Sequence, residues 1–413
     1  MGSLLAIDAG TTGVRALRLS ASGTVEQIAY RELTQSFPEA GWVEHDPAEI
    51  WQLVVATILE AAEGHSIKAI GITNQRETVI PFDRETGQAL GPAPVWQDKR
   101  TAVWCRELAA GPLGAEIRKR TGLVCDPYFS ATKMAWLLEH GRLDGAVAPA
   151  LGTVDAWICW NLTGGSEGGV FATDPSNASR TMLYDLEARA YSPELSGALG
   201  VPLDLLAEIR PSAGRFGVVA APELAHLAGV PVSGILGDQQ AALFGQRCFS
   251  PGMAKATYGT GAFVLAHAGS QRPVVPDGLV ASVAWDLGEH AGDHDPFAYC
   301  FEGSAFIAGA AIQWLRDQLG IIEHAAELEG LAAQAAMGAE GLSLIPAFVG
   351  LGSPFWDDSA RGALVGITRG SGRAQLASAT IDALAFEVAA MTRAMASAGI
   401  ALDELRLDGG ASV

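Results

Sequence analysis

"LLAIDAGTTGVRALRLS", residues 4 to 20, decides the fold. Two runs with strand character, "LLAID" and "VRALRLS", flank the turn "AGTTG". A third, "TVEQIAYREL" (24 to 33), follows the turn "ASG" with alternating character. "HDPAEIWQLVVATILEAAE" then predicts a helix. Asp46 is its N-cap, Pro47 sits at N1 and Glu49 at N3, and Ile50, Leu53, Val54, Thr57 and Ile58 recur at helical spacing. The strand "IKAIGITN" (67 to 74) completes the order βββαβ.

The plan returns in the second half. "AKATYGTGAFVLAHAG" (254 to 269), "LVASVAWDL" (279 to 287) and "PFAYCFEG" (296 to 303) read as strands, followed by a helical stretch from Ser304 to about Leu319. Later come the helix "RAQLASATIDALAFEVAAMTRAMASAG" and the strand "ELRLDGG". The junction falls near 245 to 252, after the helix "DQQAALFGQRC", which gives one domain over 1–246 and a second over 247–413. With no flexible linker between them, the halves are expected to meet across a cleft, where small-ligand sites concentrate.

Composition narrows the function. Hydrophobic residues make up 49% and charged residues 18% of the 413, as in a globular protein with substantial cores. A net charge of -19 argues against a nucleic-acid or anionic-membrane partner, since polyphosphate binding needs basic surface. Five scattered cysteines without a CxxC pair (Cys105, Cys125, Cys159, Cys248 and Cys300) read as buried reduced thiols in a cytoplasmic protein. "MGSLLAIDAG" has no basic stretch and too short an apolar run for a signal peptide. Eighteen uninterrupted apolar residues occur nowhere, so no membrane span is expected.

Three stretches carry chemistry. "DAGTTG" (Asp8 to Gly13) sets a carboxylate at a strand end before a turn of two glycines and two threonines, which can bring backbone N–H groups and hydroxyls against an anion. Alone it reads equally as a tight hairpin turn in which glycine supplies positive φ. "YGTGA" (Tyr258 to Ala262) repeats the device, and the pair favours a phosphate grip. Neither is a Walker A loop or a Rossmann fingerprint. "GITNQRET" (71 to 78) runs a strand into Arg76 and Glu77, which read as a polyol site or as a structural ion pair. "ILGDQQAALFGQ" (235 to 246) places Asp238 between strand and helix, as a helix cap or as a general base. The acidic, histidine-bearing "GEHAGDHDP" reads as a solvated hairpin loop rather than a metal site.

These blocks resemble the FGGY carbohydrate kinases. Two signatures of that family are present in full, "YFSATKMAWLLEH" (128 to 140) and "GALVGITRGSGRAQLASATID" (362 to 382). "GWVEHDP", "GITNQRET", "DPYFSATK", "NASRTML", "GDQQAALFGQ", "TYGTGAF" and "IQWLRD" mark the branch that acts on glycerol, and the match runs through essentially the whole chain. The resemblance implies an α/β fold of two ribonuclease H-like domains, of the actin/Hsp70/sugar kinase superfamily, around a central cleft. It implies ATP-dependent phosphorylation of glycerol to sn-glycerol 3-phosphate, with Mg²⁺, in a homodimer or homotetramer. The alternatives are a sibling kinase for erythritol or xylulose, a glycerol-binding form without catalysis, and a chaperone-like member of the superfamily.

Residue by residue, the resemblance assigns the polyol to Arg76, Glu77, Trp96, Tyr128, Gln239 and Phe263, with Asp238 as general base. It sets the phosphates against Thr11, Thr12, Gly13, Arg15 and Thr260, and the nucleoside near Gly259, Gly309, Gln313 and Gly410. Asp8 and Asp238 would lie near Mg²⁺. Departures are Ala9 and Gly13 where Gln and Ser are usual, Asp98 and Lys99 in "WQDKRT", and no glycine-rich insertion at "AHLAGVPVSG". In the family the chain continues beyond the motif that here ends in Val413, so the second domain and the adenine side of its site are expected to be incomplete.

Overall fold

A computed structural model describes residues 2–412, in two compact units. The first comprises Met1–Ala241, Ser270–Arg272 and Ser282–Tyr299; the second comprises Ala242–Gly269, Pro273–Ala281 and Cys300–Val413.

The first unit is built on a six-stranded mixed sheet. Strands β1 (Ser3–Ala9), β2 (Gly13–Leu19) and β3 (Val25–Glu32) form an antiparallel meander. Helix α1 (Pro47–Ala62) then leads to β4 (Ile67–Asn74), which pairs parallel to β1. The expected βββαβ order is present. Asp46 caps α1 through Ala48 N–H at 2.8 Å, a contact worth about 1 kcal/mol. Glu49 does not close a capping box; its carboxylate accepts from the Thr34 amide and hydroxyl instead.

The sheet continues beyond β4. A strand β5 (Val79–Asp83), helices α2 (Ser130–Glu139), α3 (Val154–Leu162) and α4 (Pro175–Ala178) and strand β6 (Ala213–Val218) precede β7 (Pro231–Gly237). β7 pairs parallel to β4 and runs straight into α5 (Asp238–Gly245), so the ends of β1, β4 and β7 lie side by side. The core beneath them gathers Ile7, Val14, Ile50, Val54, Ile58, Ile70, Ile72, Phe82, Trp157, Ile158 and Ile235.

The second unit repeats the plan in a five-stranded sheet. β8 (Gly252–Tyr258) and β9 (Ala262–Gly269) form the hairpin, and β10 (Val280–Asp286) and β11 (Phe297–Ala305) extend it, although Ser282–Asp286 of β10 and Phe297–Tyr299 of β11 group with the first unit. Helices α6 (Gly309–Asp317) and α7 (Arg373–Ser397) precede β12 (Leu402–Asp408), which pairs parallel to β8. The correspondence extends to register. Ser3 faces Ile67 and Leu4 faces Ala69, one residue being skipped; Gly252 faces Leu402 and Met253 faces Glu404, with the same skip. β12 is the last strand of its sheet, whereas its counterpart β4 is flanked on that side by β7.

Three expectations are corrected. The helix expected from Ser304 begins only at Gly309, because β11 runs on to Ala305; every residue of that central strand is buried, so alternation is lost. Cys125 is only partly buried, while the other four thiols are buried; all five are free. The turn glycines are not there for positive φ. A Cβ on Gly13 would stand 2.5 Å from the Arg31 carbonyl oxygen, and one on Gly261 would stand 2.5 Å from that of Ala305, so close approach requires glycine at both. Helix α7 is long and apolar enough, by length and composition, to cross a membrane. Here it buries Ala377, Ala383, Leu384, Val388, Met391 and Met395 in its own unit.

Candidate active site

The first unit concentrates its buried charge at the ends of β4 and β7. Arg76 leaves β4 and is almost wholly buried. Its guanidinium fork reaches Asp238, Gln240 and Tyr128. Nε lies 3.2 Å from Asp238 Oδ1, Nη1 donates to Gln240 Oε1 at 3.1 Å and Nη2 donates to the Tyr128 hydroxyl at 3.1 Å. A planar fork holding three partners fixes all of them at once. Asp238 is the first residue of α5, and its Oδ1 also accepts from the Gln239 amide at 2.7 Å. The carboxylate is therefore aimed rather than swinging, and about a third of its side chain remains exposed.

Glu77 follows in a left-handed conformation, φ 63°, which a non-glycine residue adopts only at a cost of about 1–2 kcal/mol. Its carboxylate accepts from Arg180 Nε at 2.5 Å, both groups being fully buried. Adjacent in sequence, Arg76 and Glu77 are thus each tied to a distant residue, Asp238 and Arg180. Tyr128 and Trp96 stand edge to face with centroids 5.6 Å apart. The Trp96 indole N–H donates to Thr11 Oγ1 at 2.8 Å, so the aromatic wall and the "DAGTTG" turn are one connected piece. With one lone pair engaged by the indole, the Thr11 hydroxyl keeps its proton to donate.

Asp8 lies near the end of β1, half-buried, with Arg15 as its ion-pair partner at 3.4 Å. Burial lifts its carboxyl to about 6; Arg15 opposes the lift and the charge of Asp238 adds to it. Two carboxylates that feel each other, with one loosely held cation between β1 and β2, form a donor set suited to a hard divalent ion. Thr12 and Arg15 are exposed, and Gly13 is buried under the turn. Because the folded carboxyl titrates above the free value of 3.8, this group favours folding fully below about pH 3.8. That contribution is lost as pH rises through about 6. Asp8→Asn, neutral throughout, is therefore expected to gain on the order of 1–3 kcal/mol of stability at pH 8. Thermal scans should show a higher melting temperature than the parent at pH 8 and none of that advantage at pH 4.

The second unit holds a pocket of about 840 Å³. It brings together Gly259, Thr260, Gly309, Gln313 and Gly410, all five residues singled out for the nucleotide from this half. The turn and the start of α6 are stapled together: Gly309 N–H donates to the Gly259 carbonyl at 2.9 Å, and Ala308 N–H to that of Thr260 at 2.8 Å. Ile312, Leu328, Ile381 and Leu384 add apolar wall. Phe263 belongs to this unit too, buried on β9 opposite Thr257. Also in this unit, the exposed Glu323, His324 and Glu327 stand close enough to share a cation, and nothing else among the described residues points to a ligand there.

Several residues of the first site escaped the sequence reading. Arg180 lay inside the quoted block "NASRTML", yet nothing local marks it as Glu77's partner, 103 positions away. Gln240 and Lys133 were missed likewise. The Lys133 ammonium is wholly buried, donates to the carbonyls of Pro127, Tyr128 and Phe129 at 2.7, 2.8 and 3.0 Å, and has its pKa pushed down by burial to about 8. Asp98, a departure from the family pattern, turns out to be scaffold. It is fully buried, pairs with Arg100 at 2.8 Å and accepts from the Val43 amide.

Known proteins resemble this chain along its length. Residues 3–245 match the N-terminal domain, and residues 254–413 the C-terminal domain, of the FGGY family of carbohydrate kinases. The curated glycerol kinase of Gloeobacter violaceus is 49% identical over 416 residues, covering 99% of this chain and 80% of that protein. That of Trichlorobacter lovleyi is 51% identical over 423 residues, covering 100% and 83%. Among solved structures, Plasmodium falciparum glycerol kinase with ADP superimposes with a TM-score of 0.84 at 31% identity, over 99% of this chain and 82% of that one. A ligand-bound xylulose kinase from Lactobacillus acidophilus gives 0.85 at 18% identity, covering 99% and 81%, a likeness of fold alone.

Proposed function

This chain belongs to the FGGY family of carbohydrate kinases, and we propose that within it the reaction is ATP-dependent phosphorylation of glycerol, giving sn-glycerol 3-phosphate and ADP. The observation that carries the reading is the three-way fork of Arg76, which holds Asp238, Gln240 and Tyr128 together beside Glu77. A small triol offers three hydroxyls, each donor and acceptor, and needs such a density of charged donors and acceptors. Identity of 49 to 51% to curated glycerol kinases supports the same substrate.

Asp238 is the general base. As one terminal hydroxyl attacks the γ-phosphorus in line, its proton passes to the carboxylate, an O–P bond forms, and the bond from the γ-phosphorus to the bridging oxygen of ADP breaks. The protein supplies position more than covalent chemistry. Arg76 and the Gln239 amide hold the base's direction, while Trp96 and Tyr128 present an apolar wall to the carbon face. In the first unit Thr11 offers a hydroxyl donor suited to a phosphate oxygen; in the second, the turn at Gly259 and Thr260 offers hydroxyl and backbone donors of the same kind, and the apolar side of its pocket suits a nucleoside. Asp8 and Asp238 are the carboxylates that would hold Mg²⁺, which when bound neutralises phosphate charge. The lift on Asp8 supports this, since a cation there would relieve it.

An ADP-release assay tests the reading, run with ATP and a panel of glycerol, erythritol and xylulose. Turnover is expected with glycerol at a far higher kcat/KM than with either longer substrate. Release with xylulose or erythritol alone would move the chain to a sibling activity, and glycerol binding without release would leave a binding protein.

A further inference from the structure

We infer that Arg180 is the positioning residue of the polyol pocket, setting Glu77 and Tyr128 against the substrate without itself taking part in the transfer. The inference rests on the first unit's site being the polyol site. Its ground is the arrangement around a single guanidinium with no solvent exposure. Burying such a charge is unfavourable unless it is paired and hydrogen-bonded with good geometry. Here Nε meets the Glu77 carboxylate at 2.5 Å, Nη1 donates to Ser282 Oγ at 2.9 Å, and the group lies over the rings of Tyr128 and Phe129, 5.3 and 5.0 Å from their centroids.

Each contact has a consequence for the pocket. The backbone at Glu77 is strained, and strain of that kind persists only where surroundings over-determine it. The ion pair with Arg180 is such a determinant, together with the Ser130 hydroxyl, which donates to the Glu77 carbonyl at 3.0 Å. Tyr128 is gripped twice, its hydroxyl by Arg76 and its ring by Arg180. Two buried arginines therefore bracket the site: Arg76 ties Tyr128 to the base, and Arg180 ties Tyr128 to Glu77.

Arg180 is itself held by a rigid turn. Asp174 caps α4 by accepting from the Ser176 and Asn177 amides, and the residue after α4, Ser179, accepts from the Val283 amide at 3.1 Å. The Ser282 contact adds a second tie to the same strand, β10. A side chain anchored this way can hold a carboxylate within the tolerance that a binding constellation needs.

The test compares the parent with Arg180→Met, Arg180→Lys, Glu77→Gln and the double variants, measuring KM for glycerol and for ATP, kcat and melting temperature. In Arg180→Met the KM for glycerol is expected to rise about 10- to 100-fold, as for loss of other supporting partners, with the KM for ATP unchanged. Arg180→Lys should recover part of the loss. Combined with Glu77→Gln, which weakens the shared pair but leaves the Tyr128 contact, each substitution should add less than it costs alone, because the two act partly through the same bond. An unchanged KM for glycerol, losses that multiply in the double variants, or a fall in kcat alone would overturn the inference. Should Arg180→Met fail to fold, Arg180→Lys and its double variant carry the same comparison. Failure of the parent to phosphorylate glycerol would strike the substrate reading instead, and the comparison would proceed with the polyol the parent does accept.

Discussion

Asp238→Asn should lose phosphoryl transfer by about 10²- to 10⁴-fold in kcat while still binding glycerol. The geometry separates the two roles. Asn retains an oxygen that can accept from Arg76 Nε and from the Gln239 amide, the two contacts that hold the group in place. What it lacks is the capacity to take a proton from the attacking hydroxyl. Arg76 keeps Gln240 and Tyr128, so the pocket keeps its shape. Calorimetry of glycerol binding beside steady-state turnover distinguishes the outcomes. Near-parent kcat would remove Asp238 as base, and loss of binding together with turnover would make it a substrate-holding group first.

Gly237→Ala is expected to be nearly as damaging, although it adds one methyl group outside the reacting atoms. A Cβ there would come within 2.8 and 2.9 Å of Arg76 Cδ and Cγ, and 3.1 Å of Gln240 Oε1. The stem of Arg76 has nowhere to yield without moving a guanidinium that already serves three partners. Displacement of a positioning group by about 1 Å can cost about 10²-fold in rate, and kcat/KM for glycerol should fall by roughly that factor. The backbone at 237 is not left-handed, so alanine brings no conformational penalty of its own. Far-UV circular dichroism should therefore match the parent, and parent-like kcat/KM would show that Arg76 has slack.

Much of the architecture was legible because its signals are local. Strand-like runs flanking a turn marked β1 and β2, alternation marked β3, a cap and helical spacing marked α1, and the repeated Gly/Thr turn disclosed that one plan is used twice. Arg76, Glu77 and Asp238 could be picked out because each is a charged residue ending an apolar strand or opening a helix beside one. Their partners could not. Arg76 meets Gln240 across 164 positions and Glu77 meets Arg180 across 103, and no periodicity records such a pairing. The ion-pair alternative for Arg76 and Glu77 gives way to two long-range pairs, since neighbours in sequence diverge when the second is left-handed. β11 hid its end because a strand buried on both faces has no alternation to lose.

The wholly buried ammonium of Lys133 has a practical meaning for chemical labelling. Bonded to three successive carbonyls and shut off from solvent, it will escape amine reagents while the chain is folded and react only once the chain opens, so its modification reports unfolding of the first unit.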